Sequence, residues 1–267
     1  MMSAKPLEGK RILITRAKAQ AANFANQIRA LGGIPVVIPL IKIHHPTDRT
    51  PLVEAVNDMR SFDWLVFTSQ NGVKAFFSIV HSEKIPSEWL DNMKIAVVGE
   101  KTREPVEVQG FDAHVIPAGD YTAEALADEL LKHVKRGERV LFPKGNLARD
   151  VLPDSLRQRG IHVEDVVAYE TGMNEEAQAD LATEVTSERL DVIAFTSPST
   201  VNHFVTLLDS VDWRSKINQT CLAAIGPITE RAMHKHGLTP NVVANLNTTE
   251  GLLQEVVQFL NNEEESK

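Results

Sequence analysis

Short runs of consecutive apolar residues recur along the chain, and segments with helical spacing separate them. The first runs are ILIT, VVIPLIKI, WLVFTS, IAVVG and AHVIP. Because these runs are continuous and do not alternate with polar residues, they predict strands buried on both faces, as in a parallel sheet covered by helices. The order strand, helix, strand, helix predicts a doubly wound α/β unit with about five strands.

The chain carries this pattern twice, displaced by 128 residues and, after one deletion, by 127. FDWLVFTSQNGV, which contains Ser69, matches LDVIAFTSPSTV, which contains Ser197. Further along each copy, KIAVVGEKT with Thr102 matches CLAAIGPIT with Thr229. Repetition at a fixed displacement indicates a duplicated structural unit. The length of 267 residues also favours two domains over one.

The charge and composition of the chain argue against several classes of function. The net charge is -8 and the 28 basic residues are scattered, which argues against nonspecific nucleic-acid binding, since phosphate contact needs a basic stripe. No apolar run reaches the roughly 18 residues of a membrane span, and the chain opens without a signal-peptide core, so we expect a cytoplasmic protein without membrane contact. The single cysteine, Cys221, lies in an apolar run and is interpreted as a core residue.

Polar residues follow the predicted strand ends, where open parallel sheets bind their ligands. They are hydroxyls, amides, glycines and a few cations, which suit an anion. Ser and Thr are also favoured helix N-caps and would stand there without any ligand, although a cap that leaves the next N–H groups free makes an anion site as well. With Thr102 as an N-cap, Pro105 would fall in the first helical turn. The candidate binding residues are Arg16, Ser69, Asn71, Lys101, Thr102, Lys144, Ser197, Ser199 and Thr229.

Several motifs of known chemistry are missing from the sequence. It contains no G-x-G-x-x-G, no G-x-x-x-x-G-K-[ST] and no G-x-S-x-G, so the predicted sheets lack the usual dinucleotide, P-loop and nucleophile-elbow signatures. Nine histidines include the neighbours His44 and His45, but no Cys or acidic ligand pattern accompanies them. We therefore expect neither a metal site nor a bound cofactor.

A set of motifs runs through residues 10 to 260 in a fixed order: LITRAKAQA, WLVFTSQNGV, IAVVGEKT, VEDVVAYET, IAFTSPSTV, AAIGPIT and TTEGLLQEV. This ordered set resembles the uroporphyrinogen-III synthase family. The resemblance implies two flavodoxin-like, doubly wound domains joined by a two-stranded linker, with the active-site cleft between them. One domain would comprise residues 1–40 and 172–267, and the other residues 41–171.

The resemblance also implies an activity. Members of the family close the linear tetrapyrrole hydroxymethylbilane to uroporphyrinogen III, with loss of water and inversion of the last pyrrole ring, and use no metal or organic cofactor. The expected partner is therefore a small octacarboxylate. Transient contact with the upstream enzyme that forms hydroxymethylbilane and a monomeric state are further expectations.

Individual residues acquire roles from the same resemblance. Tyr169, in the element VAYET, is the candidate for assisting loss of the hydroxyl, because a phenol O–H can donate a proton. The alternative interpretation is a strand tyrosine that packs at the hinge. The resemblance places substrate contacts at Ser69, Thr102, Ser197 and Thr229, and carboxylate partners at Arg16, Lys101 and Lys144.

Two other functions stay open at the level of sequence. A noncatalytic two-lobed module that binds or senses a small anion would also consist of paired α/β lobes, although no signal peptide supports the periplasmic kind. A nucleotide- or flavin-using enzyme would share the sheet order, but the phosphate-binding motifs are missing.

Overall fold

The computed structural model describes residues 5–265, without the side chains of Ala19, Glu264 and Glu265. None of the helices in this range has the length and apolar character needed to cross a membrane. The strands are β1 (Arg11–Ile14), β2 (Ile34–Val37), β3 (Ile41–His44), β4 (Trp64–Phe67), β5 (Lys94–Val97), β6 (Arg139–Gly145), β7 (His162–Met173), β8 (Val192–Phe195), β9 (Cys221–Ala224) and β10 (Val242–Val243). The α-helices are α1 (Lys18–Ala30), α2 (Thr50–Asn57), α3 (Gln70–Ser82), α4 (Glu100–Val108), α5 (Ala123–Leu130), α6 (Val151–Gln158), α7 (Gln178–Thr186), α8 (Pro198–Leu207), α9 (Pro227–Lys235) and α10 (Thr249–Glu265).

The chain divides into two compact units. The first unit comprises the residues up to Lys42 and those from Gly172 onward, and the second unit comprises Ile43–Thr171. Both boundaries fall inside strands, one in β3 and one in β7, and these strands are neighbours in one sheet. The chain therefore passes from one unit to the other and back through two adjacent strands.

The sheet of the first unit combines the start of the chain with its second half. Its order is β10-β9-β8-β1-β2, and all of its paired strands run parallel. If the five strands are renumbered 1 to 5 along the chain and read from the β2 edge, the order is 2-1-3-4-5, which is the strand order of flavodoxin.

The sheet of the second unit has the order β3-β7-β6-β4-β5, and its four strands from β7 to β5 pair in parallel. A further parallel bridge joins Ala96 to Val115. When the strands of this sheet are renumbered along the chain in the same way, their order differs from that of flavodoxin. The prediction of an α/β chain with two parallel-dominated sheets is confirmed, with five strands in each sheet.

Helices cover both faces of each sheet, and the core is built from alternating strand residues. In β4, Leu65 and Phe67 belong to one buried cluster, whereas Trp64 and Val66 belong to another on the opposite face. All four side chains are buried, which is why the apolar run is continuous. Burying each large apolar side chain contributes about 1.5–3 kcal/mol, so these clusters fix the strand positions and the loops that follow them.

Cys221 lies in the core of the first unit, as the sequence predicted. Its side chain is buried in the cluster that contains Ile12 and Val242. Burial, assisted by the negative charge of Glu263, raises the pKa of the Cys221 thiol to about 12. The thiol therefore stays protonated and unreactive at neutral pH.

Candidate functional site

In the second unit, the carboxyl ends of the parallel strands carry the predicted polar residues. Ser69 follows β4, Lys101 and Thr102 follow β5, Lys144 is the last residue but one of β6, and Tyr169 lies late in β7. Because β5, β4, β6 and β7 are successive neighbours, these residues share one edge of the sheet.

Tyr169 and Ser69 contact each other at this edge, with Ser69 Oγ 3.0 Å from Tyr169 Oη. Ser69 is the N-cap of α3, with extended backbone angles, and its Oγ accepts a hydrogen bond from Gly72 N–H at 3.0 Å. The cap predicted for Ser69 is therefore confirmed. The cap also places the hydroxyl of Ser69 beside the phenol.

The ring of Tyr169 is held by packing against the core and against β6. It is half-buried beside the cluster that contains Phe67 and Ala168. An irregularity in register between Lys144 and Gly145 brings Gly145 opposite Tyr169. A Cβ on Gly145 would lie 2.6 Å from Tyr169 Cζ and 2.8 Å from Oη, so only glycine leaves room for the phenol. Tyr169 thus packs as a strand residue and also directs its hydroxyl to Ser69.

An open groove of about 350 Å³ lies beside Tyr169, entirely within the second unit. Asn71, one of the predicted residues, belongs to its wall together with other residues of the same face of α3. Sequence reasoning left out these other residues, although their spacing of three, four and seven positions from Asn71 is the signal that identifies them. The groove is lined by Ile43, His44, His45, Asn71, Lys74, Ala75, Ser78 and Tyr169.

Thr102 is not a helix cap, contrary to the sequence-based expectation. Gly99 is the N-cap of α4, Thr102 lies in the first turn with 4% exposure, and Pro105 lies inside the helix. The helix begins three residues earlier than expected, at a position where a Cβ would lie 2.6 Å from Tyr121 Cδ1. Close approach of the aromatic ring therefore leaves room only for glycine at this cap, in place of the favoured Ser or Thr.

Thr229 repeats this arrangement in the first unit. Gly226 is the N-cap of α9, and a Cβ there would clash with the side chain of Asn247. Thr229 lies in the first turn with 2% exposure. In both copies the threonine is thus a buried first-turn residue, and the glycine before it leaves the helix N-terminus without a side-chain cap.

The side chain of Lys101 is exposed at the N-terminus of α4. Its backbone carbonyl accepts a hydrogen bond from Gln70 Nε2 at 2.5 Å. Gln70 was not among the predicted binding residues, and it links the N-termini of α3 and α4. Within residues 5–265, no ion pair of the Lys101 ammonium group is formed.

Lys144 forms ion pairs with two carboxylates of its own chain. Its Nζ lies 2.6 Å from Asp150 Oδ1 and 2.6 Å from Asp165 Oδ2, and its side chain is 13% exposed. Burial acts to lower the pKa of Lys144, but the hydrogen bonds to Asp150 and Asp165 outweigh it and raise the pKa. Burial acts to raise the pKa of Asp165, but Lys144 and Arg157 together lower it. Lys144 is therefore not available as an unpaired cation in this structure.

The corresponding edge of the first unit brings Ser197 and Ser199 together. Ser197 is the N-cap of α8, where its Oγ accepts a hydrogen bond from Thr200 N–H at 3.3 Å and lies 2.9 Å from Ser199 Oγ. Arg16 follows the neighbouring strand β1 and donates from Nη2 to Gln20 Oε1 at 3.2 Å. The cap predicted for Ser197 is confirmed, and these hydroxyl groups and the guanidinium group suit an anionic ligand.

The residues described here contain no group of three or more His, Cys, Asp or Glu side chains placed to hold a metal ion. His44 instead contacts its neighbours, with Nδ1 2.8 Å from the carbonyl oxygen of His45 and 3.9 Å from Glu170 Oε2.

Comparisons with known proteins identify the family. A family model described as uroporphyrinogen-III synthase HemD matches residues 22–254. The uroporphyrinogen-III synthase of Synechococcus elongatus is 34% identical over 263 residues, which cover 97% of this chain and 98% of that protein. The porphyrin biosynthesis protein HemD of Ruminiclostridium josui is 28% identical over 96% of this chain, which spans 49% of that longer protein.

A solved structure supports the fold independently. The crystal structure of a mutant uroporphyrinogen III synthase from the extremely thermophilic bacterium Thermus thermophilus superposes with a TM-score of 0.51 and 19% sequence identity. The match covers 95% of this chain and 100% of the Thermus chain. The Thermus structure thus supports the fold, and the family model and the Synechococcus relative show that this chain belongs to the uroporphyrinogen-III synthase family.

Proposed function

We propose that this chain converts hydroxymethylbilane to uroporphyrinogen III, and that Tyr169 assists the loss of water. The observation that supports this role is the phenol at the sheet edge, 3.0 Å from the N-cap Ser69. The test supplies hydroxymethylbilane to the purified protein, oxidises the products to porphyrins and separates the type I and type III isomers. We expect the type III isomer to predominate.

The reaction begins with cleavage of one C–O bond. Tyr169 donates its phenolic proton to the hydroxyl group of hydroxymethylbilane, and the bonding electrons leave with the oxygen as water. The lone pair of the adjacent pyrrole nitrogen stabilises the positive charge left on the carbon, which gives an azafulvene cation. The pyrroles therefore supply the electrons, and the protein supplies a proton and a conformation.

Ring closure then forms and breaks carbon–carbon bonds. The last pyrrole ring attacks the cation through its substituted carbon and forms a spiro intermediate. Cleavage of the bond on the other side of the spiro carbon and renewed closure invert this ring. The ring finally loses the proton at its newly bonded carbon and becomes aromatic, and the phenolate of Tyr169 takes a proton back.

Ser69 is proposed to direct the proton of Tyr169. Since Ser69 Oγ already accepts from Gly72 N–H, its own O–H can donate to Tyr169 Oη and leave the phenolic proton for the substrate. The same bond stabilises the phenolate after transfer. The N–H groups of Gln70 and Asn71, in the first turn of α3, favour the negative charge as well.

Substitution of Ser69 tests this assignment. We expect Ser69→Ala to lower kcat by about tenfold, with a loss of about 1 kcal/mol of stability from the missing cap. Ser69→Thr, which keeps the hydroxyl, should recover most of the rate. In a Tyr169→Phe background, Ser69→Ala should cost no further activity, because both changes remove one function. Independent, multiplying losses would instead indicate that Ser69 acts on the substrate directly.

The remaining candidate residues are proposed to bind the carboxylates of the substrate. In the second unit these are Asn71, Lys101 and the first turn of α4 around Thr102. In the first unit they are Arg16, Ser197, Ser199 and Thr229. Lys144 ranks below the others, since Asp150 and Asp165 already neutralise it.

The net negative charge of the chain is compatible with an anionic substrate. A substrate with eight carboxylates does not need a basic protein, since backbone N–H groups at helix ends bind anions whatever the net charge. We further propose a cytoplasmic monomer that meets the upstream enzyme of hydroxymethylbilane synthesis transiently.

A further inference from the structure

The side chains that line the groove beside Tyr169 are neutral or basic. No acidic side chain lines it, although the chain carries 36 Asp and Glu residues and a net charge of -8. Lys74 and the two histidines supply positive or ionisable groups, and Asn71 supplies an amide. Such a lining attracts carboxylates and does not repel them.

The groove also has an apolar part. Ala75, the half-buried Tyr169 and Ile43, whose side chain is 43% exposed, belong to its lining. Apolar surface and polar groups therefore occur in the same groove. This combination suits a flat ring that carries acidic substituents.

The size of the groove limits what it can hold. Its volume of about 350 Å³ lies at the lower end of the range of small-molecule pockets, which is roughly 300–1,000 Å³. The groove therefore has room for one substituted pyrrole ring, and the other three rings of a linear tetrapyrrole would lie outside it.

We propose that this groove is the binding subsite for the hydroxymethyl-bearing pyrrole ring, with Lys74 paired to one of the two carboxylates on that ring. The inference rests on the proposed function, because the ring that loses its hydroxyl must lie beside the proton donor Tyr169. Tyr169 lines the groove, so a ring bound there lies against the residue that donates the proton.

Two acidic residues near the groove are close enough to its basic side chains to be considered as their partners. Glu170 Oε2 lies 3.9 Å from His44 Nδ1, so His44 has a carboxylate partner when it is protonated. Glu104 lines the shallow depression on the other side of Lys74. Within the described part of the chain no ion pair holds Lys74, and its side chain is exposed. Lys74 is therefore the cation of the groove that is best placed to meet a substrate carboxylate.

Charge reversal at Lys74 is the test. For Lys74→Glu we expect the KM for hydroxymethylbilane to rise about tenfold and kcat to change less than about twofold, because a binding contact is lost and the proton donor is kept. Lys74→Met, which keeps the aliphatic stem, should raise KM less. Ser78→Trp, which fills the groove from an exposed position of α3, should also raise KM.

Lys84→Glu is the matched control. Lys84 is also exposed, but it lies two residues beyond the C-terminal end of α3 and outside the groove. We expect its KM to equal that of the wild type. A KM for Lys74→Glu equal to that of Lys84→Glu, or a loss of kcat with unchanged KM, would overturn the groove assignment. A wild-type protein that makes no type III isomer would overturn the proposed function, and the groove assignment with it.

Discussion

Tyr169→Phe is expected to lower kcat for type III formation by about 100- to 10,000-fold, the range of a lost general acid. The ring and its packing against the buried cluster that contains Phe67 are kept, and only the hydroxyl 3.0 Å from Ser69 Oγ is removed. Because departure of water then lacks its proton donor, the chemical step slows while substrate binding persists. Stopped assays with isomer separation measure the rate, and KM should stay within a small factor of the wild-type value.

The control for Tyr169→Phe is the stability of the variant. Ser69 still caps α3 through Gly72 N–H, so the free energy of unfolding should fall by no more than about 1 kcal/mol. Tyr169→Leu, which removes the ring as well, should lose a similar amount of activity and more stability. Wild-type turnover by the phenylalanine variant would remove Tyr169 from the mechanism and leave it only the role of a packed strand residue.

Gly145→Ala is expected to lower the activity of the enzyme strongly, although Gly145 has no side chain of its own. The new Cβ would lie 2.6 Å from Tyr169 Cζ, so the phenol must move away from β6 and from Ser69. We expect kcat to fall at least about tenfold and stability to fall by about 1–3 kcal/mol, the usual cost of overpacking. Thermal or denaturant unfolding and the isomer assay measure the two effects.

A second substitution separates this mechanism from general damage to β6. In a Tyr169→Ala background the ring is gone, so Gly145→Ala should cost little additional stability. Gly145 does not have a positive φ, so an alanine there strains no backbone. If the alanine destabilises both backgrounds equally, contact with Tyr169 is not the reason for the glycine.

The sequence predicted those features of the fold that depend on local pattern. Continuous apolar runs such as WLVF indicated strands buried on both faces, and β4 has this environment. The duplication indicated two related sheets, and the caps at Ser69 and Ser197 are where the strand-to-helix turns FTSQNGV and FTSPSTV placed them. Local signals are sufficient here because caps and buried strands are determined within a few residues.

The expectations that failed or weakened depend on residues distant in sequence. Gly99 and not Thr102 is the N-cap of α4, and the ring of Tyr121, distant in sequence, leaves room there only for a glycine. Lys144 meets Asp165 only because β6 and β7 are neighbours, and this pair occupies the cation that we expected to bind substrate. Neither the aromatic contact nor the ion pair has a signature in the local sequence.

Some of the missed residues did carry a signal. A glycine inside a strand often marks the close approach of another group, so Gly145 at the end of RVLFPKG was a candidate for contact with a neighbour. Lys74 and Ser78 follow Asn71 at helical spacing and therefore share its face of α3. What the sequence could not supply was the partner of each residue, which depends on the order of the strands.

The central claim is that this chain makes the type III isomer with the phenol of Tyr169. The most direct measurement adds hydroxymethylbilane to the wild-type protein, to Tyr169→Phe and to buffer, and separates the oxidised porphyrins by isomer. We predict mostly type III with the wild type, and mostly type I, the product of unassisted closure, with the variant and with buffer. A wild-type product indistinguishable from that in buffer, or type III formed equally well by the variant, would contradict it.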